Sequence, residues 1–431
     1  MERPAHQKLD PEPPARGLRI LTPLGIRDFA LLFAGTSVSL LGDGVYLVTI
    51  AWQVYDISNA PTALSVVGVA WTLPMVAFLL VGGVLGDRFD RRRLLIASDA
   101  IRAVAIGGLA ALALTGAIEL WHVIALVAVY GVGEALFAPS FQAIVPEVVP
   151  KRLLVQANSL QQLTEPLAYR LAGPALGGLV IAGLGTGAAF VIDSATFLVS
   201  MACVAAMRPL PRPEREHTPS MAEDMREGAR FVRSQPWLWA TLVAAALTLL
   251  LWLGPLEVLL PFVVRNEYGA GAGGLGLVFA AAGAGAVLSA VVIGQRGLPR
   301  RHVLWMYLGW GGSTLALVGY GLVDEVWQAA AIGFAGGVGE GVGMITWITL
   351  IHSHVPDRLL GRVSSLDWMV SIGLTPLSFA LAGPVAEAIG AQVTMVAAGL
   401  LACAVFLTFL LVPGVRDPEQ WAQRASPRPG P

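Results

Sequence analysis

The sequence carries little charge for its length. Only 13% of its 431 residues are Asp, Glu, Lys or Arg, and 55% are hydrophobic, whereas roughly a quarter of a soluble domain is charged. This scarcity excludes a soluble globular protein. A bilayer core about 30 Å thick needs around 20 apolar residues per helix. The chain is therefore expected to be a membrane protein with little length left for a soluble domain.

Cysteine is scarce and the common motifs of catalysis are missing. Cys203 and Cys403 are the only cysteines, and both lie in apolar runs, where thiols behave as small hydrophobic groups. A disulfide framework is excluded. The sequence has no phosphate-binding P-loop and no nucleophile elbow, and no carboxylate or thiol near His352 and His354 completes a metal site. We therefore predict no enzyme, no metal, no cofactor and no nucleic-acid binding.

Long apolar runs are what the chain has in abundance. The first 28 residues are rich in proline and basic residues and lack the apolar core of a signal peptide. The twelve predicted spans are 29–54, 62–86, 94–115, 121–145, 157–184, 188–207, 237–264, 273–294, 303–322, 326–351, 360–387 and 393–412. The predicted domains are a tail (1–28), a six-helix bundle (29–207), a connector (208–236), a second six-helix bundle (237–412) and a tail (413–431).

Basic residues cluster in alternate loops. They follow the second, fourth, sixth, eighth, tenth and twelfth spans, and Arg265 is the only basic residue in the opposite loops. By the positive-inside rule both termini are expected to be cytoplasmic. The connector contains a capping-box pattern at 220–223, which predicts a short helix that either lies on the membrane surface or is a solvated linker.

An internal repeat organises the spans. The segment 131–134 (GVGE) recurs at 337–340, and 149–154 (VPKRLL) recurs with one change at 355–360, both 206 residues later. A repeat that is six helices long preserves orientation, so the two halves should be related by a pseudo-twofold axis along the membrane normal. The fold class predicted is thus an all-α membrane protein of twelve transmembrane helices in two six-helix bundles.

Ionisable residues inside the spans are the strongest chemical signal, because each costs several kcal/mol unless it is paired, hydrated or protonated. Asp43 lies near the middle of the first span, and Glu134 and Glu340 lie at repeat-equivalent places in the fourth and tenth. A carboxyl group held away from water favours its protonated form, so these acids suit proton exchange or substrate binding. The alternative is structural pairing with Arg102 or Arg170.

Two motifs carry a family resemblance. A charged block follows the second span, with Gly83, Asp87, Arg88, Arg91 and Arg92 at the spacing of a major facilitator superfamily signature. Asp90 replaces the usual second glycine of that signature. The second motif resembles the Gly-Pro-x-x-Gly-Gly pattern of the family's exporters, although the same residues could make a close helix crossing. Its residues are Gly173, Pro174, Gly177 and Gly178.

The resemblance implies the major facilitator fold and the bacterial branch that exports drugs and siderophores. In this family Asp87 would cap the helix that begins near Gly361, as an inner gate, while the arginines around it pair with nearby acids. The arginine that many drug antiporters carry on the fourth span is missing, so its role would fall to Arg102 or Arg170.

The expected function is proton-coupled export of amphipathic, drug-like small molecules by alternating access. The site would lie between the first, fourth, seventh and tenth spans, with Asp43 as proton carrier. The expected setting is a monomer in the lipid bilayer of a bacterial inner membrane. The alternatives are a dedicated exporter of one metabolite, such as a siderophore or antibiotic, and a membrane sensor or scaffold that transports nothing.

Overall fold

The computed structural model describes residues 19–88, 90–209 and 221–419, and all regular structure in this part of the chain is helical. The helices are α1 (Arg27–Ile57), α2 (Pro61–Arg88), α3 (Arg91–Thr115), α4 (Leu120–Val148), α5 (Leu154–Thr164), α6 (Gly173–Ala205), α7 (Met221–Ser234), α8 (Pro236–Gly254), α9 (Leu260–Asn266), α10 (Ala272–Arg296), α11 (His302–Leu322), α12 (Val326–His354), α13 (Asp357–Gly373), α14 (Thr375–Ile389) and α15 (Ala391–Leu410). Two π-helices join α5 to α6 (Glu165–Ala172) and α8 to α9 (Pro255–Leu259).

Ten segments of the described chain are long and apolar enough to cross a membrane. One of them, Gln156–Ala205, has 50 residues, which at about 1.5 Å per residue is far too long for a single crossing of a core about 30 Å thick. Gly185 breaks this helix with φ at +82°, between the fifth and sixth predicted spans. If this segment is counted as two crossings and α11 is added, the ten segments become the predicted twelve crossings. That count stays a prediction.

Local sequence explains how α3 begins and ends. Asp90 is its N-cap, with extended backbone at φ −60°, and its side chain accepts a hydrogen bond from the Arg92 backbone amide at 3.0 Å. Acidic N-caps satisfy the free amides of the first turn. A glycine has no side chain that could accept this hydrogen bond, so Asp90 caps α3 where a glycine could not. At the other end Gly116 adopts a left-handed conformation at φ 70° and terminates the helix, as C-terminal glycines commonly do.

The repeat has a structural counterpart in α4 and α12. Both helices have 29 residues, and both carry the repeated GVGE segment at their centre. The glycines of this segment are points of close helix contact, because a Cβ at Gly131 would collide with Trp71 of α2 and one at Gly337 with Ala282 of α10. The same type of contact between equivalent helices explains why the segment recurs.

We call α1 to α6 the first half and α8 to α15 the second half. In the first half α1 and α3 pack on α6, and α2 packs on α4; in the second half α10 and α11 pack on α12. The two halves meet where α6 contacts α10 and α2 contacts α14. The largest apolar core includes buried side chains of both halves, such as Tyr55, Phe190, Leu275 and Phe379.

The connector contains the helix that the sequence predicts, α7. This helix docks on α13, because Gly228 lies against Arg362 and Leu366, and Glu227 pairs with Arg362. Residues 210–220, with the serine of the predicted capping box, lie outside the part of the chain that the structure describes.

Candidate functional site

Asp43 lies near the middle of α1 and faces α4. The Tyr130 hydroxyl donates a hydrogen bond to Asp43 Oδ1 at 2.9 Å. Tyr130 also stacks on Tyr46, with 5.0 Å between ring centroids, and this contact holds the phenol in place. The direct partner of this carboxyl group is thus a neutral donor.

Glu134, at the centre of α4, also has a neutral donor. Trp71 Nε1 of α2 donates to Glu134 Oε2 at 2.6 Å. The indole contacts Phe379 of α14 edge to face, at 6.2 Å between centroids. Glu134 is therefore next to an aromatic contact that joins the two halves.

Arg170 connects the two halves through a direct ion pair. It lies on the first π-helix, and its Nη1 is 2.6 Å from Glu340 Oε1 at the centre of α12. Glu165 adds a longer contact, with 3.6 Å between its Oε1 and Arg170 Nε. π-Helices are rare and are frequently found at functional sites. Glu257 lies on the second π-helix. The alternative in which Glu134 pairs with Arg170 is not seen in the structure, because Arg170 pairs with Glu340 instead.

Arg102 lies deeper, inside the first half. Its Nη2 is 2.5 Å from Asp99 Oδ1, three residues earlier on α3. The guanidinium carbon also lies 4.4 Å from the ring centroid of Phe137 and 4.5 Å from that of Phe197. Arg102 was predicted to balance Asp43 or Glu134. The structure instead pairs it directly with Asp99, so its influence on the other acids is longer-range.

Exposure divides these residues into two groups. Asp43, Glu134, Arg170 and Glu340 are partly exposed although they lie mid-span. The second group is buried: Asp99 and Asp193 are 0% exposed, and Arg102 is 2% exposed. Only the first group can meet a substrate or water without a rearrangement of the helices.

The halves are also joined at the end opposite the arginine clusters. Asp56 of α1 pairs with Arg265 of α9 at 2.6 Å, and the guanidinium of Arg265 lies over Trp52 at 5.2 Å. The side-chain amides of Asn59 and Asn266 donate to each other at 2.6 and 3.0 Å. These contacts close the arginine-poor end of the boundary.

The motif of Gly173, Pro174, Gly177 and Gly178 at the start of α6 packs closely against α1 of the first half and α10 of the second half. A Cβ added to Gly173 would lie 2.5 Å from Gly44 Cα of α1, and one at Gly177 would lie 3.0 Å from the Val45 carbonyl oxygen. On the other side, a Cβ at Gly178 would lie 2.9 Å from the Ala272 carbonyl oxygen of α10. Pro174 follows directly at the start of α6 and interrupts no helical hydrogen bond that α6 needs. The structure thus shows the close helix crossing, and a signal for export remains an inference from the family.

The charged block after α2 is described in part. Arg91 pairs with Glu147 of α4, and Arg92 donates to the Val204 carbonyl oxygen at the end of α6 at 2.9 Å. Both contacts stay within the first half, and the second matches the preference for cations at helix C-termini. The side chains of residues 79–88 lie outside the described part, so the roles of Gly83, Asp87 and Arg88 stay predictions.

Sequence reasoning missed several partners of the acids. Tyr130, Trp71 and Asp99 were not predicted as partners of Asp43, Glu134 and Arg102, because the first two lie on other helices, far along the chain from the acids that they contact. Asp99 and Arg102 are three residues apart, which on a helix places them on the same face. This spacing was the one available signal.

The geometry allows two kinds of chemistry. An acid that is held by a neutral donor can be charged or protonated without leaving a buried cation unpaired. An acid bound to a guanidinium is held in its charged form. Asp43 and Glu134 belong to the first kind, and Glu340 belongs to the second.

Comparisons with known proteins concern the chain as a whole. The profile of a family described as transmembrane secretion effector matches residues 19–429. The multidrug efflux pump Tap of Mycolicibacterium fortuitum is 27% identical over 410 residues, which cover 92% of this chain and 97% of that protein. Macrolide efflux protein A of Streptococcus pyogenes is 21% identical, with 90% and 96% covered.

Solved structures of transporters share the fold. A bacterial homologue of the human lysosomal transporter Spinster, in an inward-facing and unoccupied conformation, aligns with a TM-score of 0.65. The identity is 14%, and the alignment covers 92% of this chain and 96% of that one. This comparison concerns the fold alone, and it confirms the all-helical transporter architecture predicted from the repeat.

Proposed function

The chain belongs to the transmembrane secretion effector family of the major facilitator superfamily, and from this premise we propose that it exports amphipathic, drug-like small molecules in exchange for protons. It is a transporter and not an enzyme. The substrate class rests on the efflux proteins named among its relatives. Proton coupling rests on the side chains within the helices.

The observation that carries the proposal is the pairing of Asp43 with Tyr130. A partly exposed carboxyl group in the middle of a membrane helix is costly when charged, and here its direct partner is a phenol at 2.9 Å. The carboxyl group can therefore take up a proton without leaving a buried cation unpaired. Asp43 would carry the proton, with Glu134 beside Trp71 as the second acidic group.

Transport would proceed by alternating access. Rocking of one half against the other around a fixed site is the usual action of such repeats. Asp56 and Arg265 join the halves at the arginine-poor end, whereas Arg170 and Glu340 join them near the middle. If the Asp56–Arg265 pair breaks while the Arg170–Glu340 pair is kept or re-formed, the site would become accessible from the arginine-poor end.

We place the protein as a monomer in the bacterial inner membrane, with both termini in the cytoplasm. The asymmetry of basic residues supports this orientation. The arginine-poor end, with Asp56 and Arg265, would then face outward. Drug that enters from the cytoplasm would leave through this end.

Everted membrane vesicles test the proposal directly. We expect uptake of ethidium into energised vesicles that contain the protein, and collapse of this uptake by a protonophore. Asp43→Asn keeps the size and a hydrogen-bond acceptor but cannot carry the proton, so proton-driven uptake should be lost. Asp28→Asn, an acid at the start of the same helix, is the matched control and should behave as wild type.

The results separate the alternatives. Uptake that ignores the protonophore would contradict proton coupling, and normal uptake by Asp43→Asn would contradict the role of Asp43. A protein that moves one compound of a broad panel is a dedicated exporter. A correctly inserted protein that moves none of them is a sensor or scaffold.

A further inference from the structure

We propose that Asp193 of α6 is a second proton-binding residue, behind Asp43, and that the position of the Arg102 guanidinium decides whether Asp193 is charged. This inference rests on the proposed proton exchange. It concerns a residue that lines no substrate path, so it adds a second proton store inside the first half.

Asp193 is a buried acid. Its exposure is 0%, and neither carboxyl oxygen has a cation or a well-formed hydrogen bond among the described residues. The neighbouring Thr196 hydroxyl donates instead to the Asp193 backbone carbonyl oxygen at 2.7 Å. The side chain packs against α1, because a Cβ added to Gly42 would lie 2.5 Å from Asp193 Oδ1. Gly42 immediately precedes Asp43, and the two carboxyl groups are close enough to interact electrostatically.

The charges in this region do not balance if every acid is ionised. Four carboxyl groups, those of Asp43, Asp99, Glu134 and Asp193, share one guanidinium, that of Arg102. Asp99 takes this guanidinium at 2.5 Å, Asp43 accepts from Tyr130, and Glu134 accepts from Trp71. A buried carboxylate without any donor costs several kcal/mol. Asp193 therefore holds a proton in this conformation.

Arg102 is placed so that it can change partners. Its guanidinium lies over Phe197 at 4.5 Å, and Phe197 is four residues after Asp193, on the same face of α6. Its Nε is buried without a partner. An aromatic face attracts the cation without fixing the direction of its N–H groups. The guanidinium can thus turn from Asp99 toward Asp193 while it stays over the same ring.

This turn moves protons in a balanced way. When the guanidinium turns its free Nε–H toward Asp193, the Asp193 O–H bond breaks and its proton passes by way of the Asp43 carboxylate to water at the arginine-rich end. Arg102 then lies between the carboxylates of Asp99 and Asp193. One proton has left and the positive charge of a cationic substrate has arrived, so the net charge of the region is unchanged. The ionisable groups that interact with Asp193 are Asp43 and Tyr46 of α1, Arg102 of α3 and Tyr130 of α4.

A proton fits this place better than a metal cation does. A Cβ at Gly42 would collide with the Thr196 hydroxyl, so α1 and α6 leave little room between them for an ion. Within the described residues, no three His, Cys, Asp or Glu side chains are arranged to hold a metal. The space beside Asp193 therefore fits a proton on its carboxyl group and not a metal ion.

The test uses the purified full-length protein in detergent. The infrared spectrum of wild type should contain the carbonyl stretch of a protonated carboxyl group, and Asp193→Asn should lose it. Ser140→Ala is the matched control, since the hydroxyl of Ser140 on α4 is also buried without a partner among the described residues. It should keep the band. Thermal unfolding of each variant checks that the fold is intact.

A second measurement counts the protons that are released when tetraphenylphosphonium binds. We expect fewer protons per bound probe from Asp193→Asn than from wild type, and no change for Ser140→Ala. A carboxyl band that survives in Asp193→Asn overturns the proposal. A lost band with unchanged proton release also overturns it, because Asp193 would then hold a proton that is never exchanged.

The failure of the two proposals can be told apart. If wild type releases no proton on binding, proton-coupled export is wrong, and with it the exchange at Asp193. If wild type and Asp193→Asn release protons equally, proton-coupled export stands and only the inference about Asp193 fails.

Discussion

Arg170 donates a hydrogen bond from Nη1 to Glu340 Oε1 at 2.6 Å, across the boundary between the two halves. Glu134, the repeat-equivalent of Glu340, accepts from the Trp71 indole instead. The two halves thus use the same glutamate differently. In the first half it has a neutral partner, and in the second half it holds the halves together. The repeated glutamate therefore has a different partner in each half of the structure.

The Arg170–Glu340 pair should be needed for coupled motion. Glu340→Gln keeps a hydrogen-bond acceptor but leaves the guanidinium without its closest negative charge, so we expect efflux about tenfold slower, equivalent to about 1.4 kcal/mol. Ethidium efflux measures this. Glu165→Gln, which removes a longer contact from a side chain that is 54% exposed, should change efflux little. Equal losses in both variants would contradict the assignment.

The arginine-poor end should open and close during transport. Cysteines that replace Asn59 and Asn266 would lie where the two side chains now contact each other, so oxidation should join them and stop efflux. Reduction should restore it, and each single variant should be unaffected. Asp56→Asn, which removes the partner of Arg265, should lower the cross-linking yield. Full efflux by the oxidised double variant would show that this end does not need to open.

Glu134 should select for positive charge in the substrate. Glu134→Gln should weaken binding of a cationic probe about tenfold, or about 1.4 kcal/mol, while uncharged macrolides keep their affinity. Trp71→Phe keeps an aromatic ring but removes the donor to the carboxyl group. It should leave the preference for cations in place. Binding of both probe classes, followed by tryptophan fluorescence, checks this, and parallel losses for both classes would argue against it.

Where α10 crosses α6, a methyl group added at Gly276 should be destabilising, whereas one added at Gly273 should be tolerated. A Cβ at Gly276 would lie 2.5 Å from the Pro174 carbonyl oxygen, whereas one at Gly273 would lie 3.9 Å from that of Gly178. Gly276→Ala should destabilise the protein by about 1–3 kcal/mol and slow transport. Gly273→Ala is the matched control on the same helix. Thermal unfolding in detergent compares them, and equal melting temperatures would refute the close crossing.

The positions of the acids could be predicted, but their partners could not. Asp43, Glu134 and Glu340 were recognisable because an acid in an apolar run is costly and therefore rare. Tyr130 and Trp71 are ordinary aromatic residues of membrane helices, and only the contacts of α4 with α1 and α2 reveal them as donors. Asp193 looked like any other acid within a span until its lack of a partner was visible.

The sequence by itself determined the membrane fold, its internal repeat and the depth of each acid, because hydrophobic length and the cost of buried charge are properties of the chain alone. The tertiary structure decided which acids are neutralised. A guanidinium reaches one carboxyl group at a time, and the crossing of the helices assigns Arg102 to Asp99 and Arg170 to Glu340. Those two choices leave Asp43, Glu134 and Asp193 without a direct cation, and they make these residues the candidates for proton exchange.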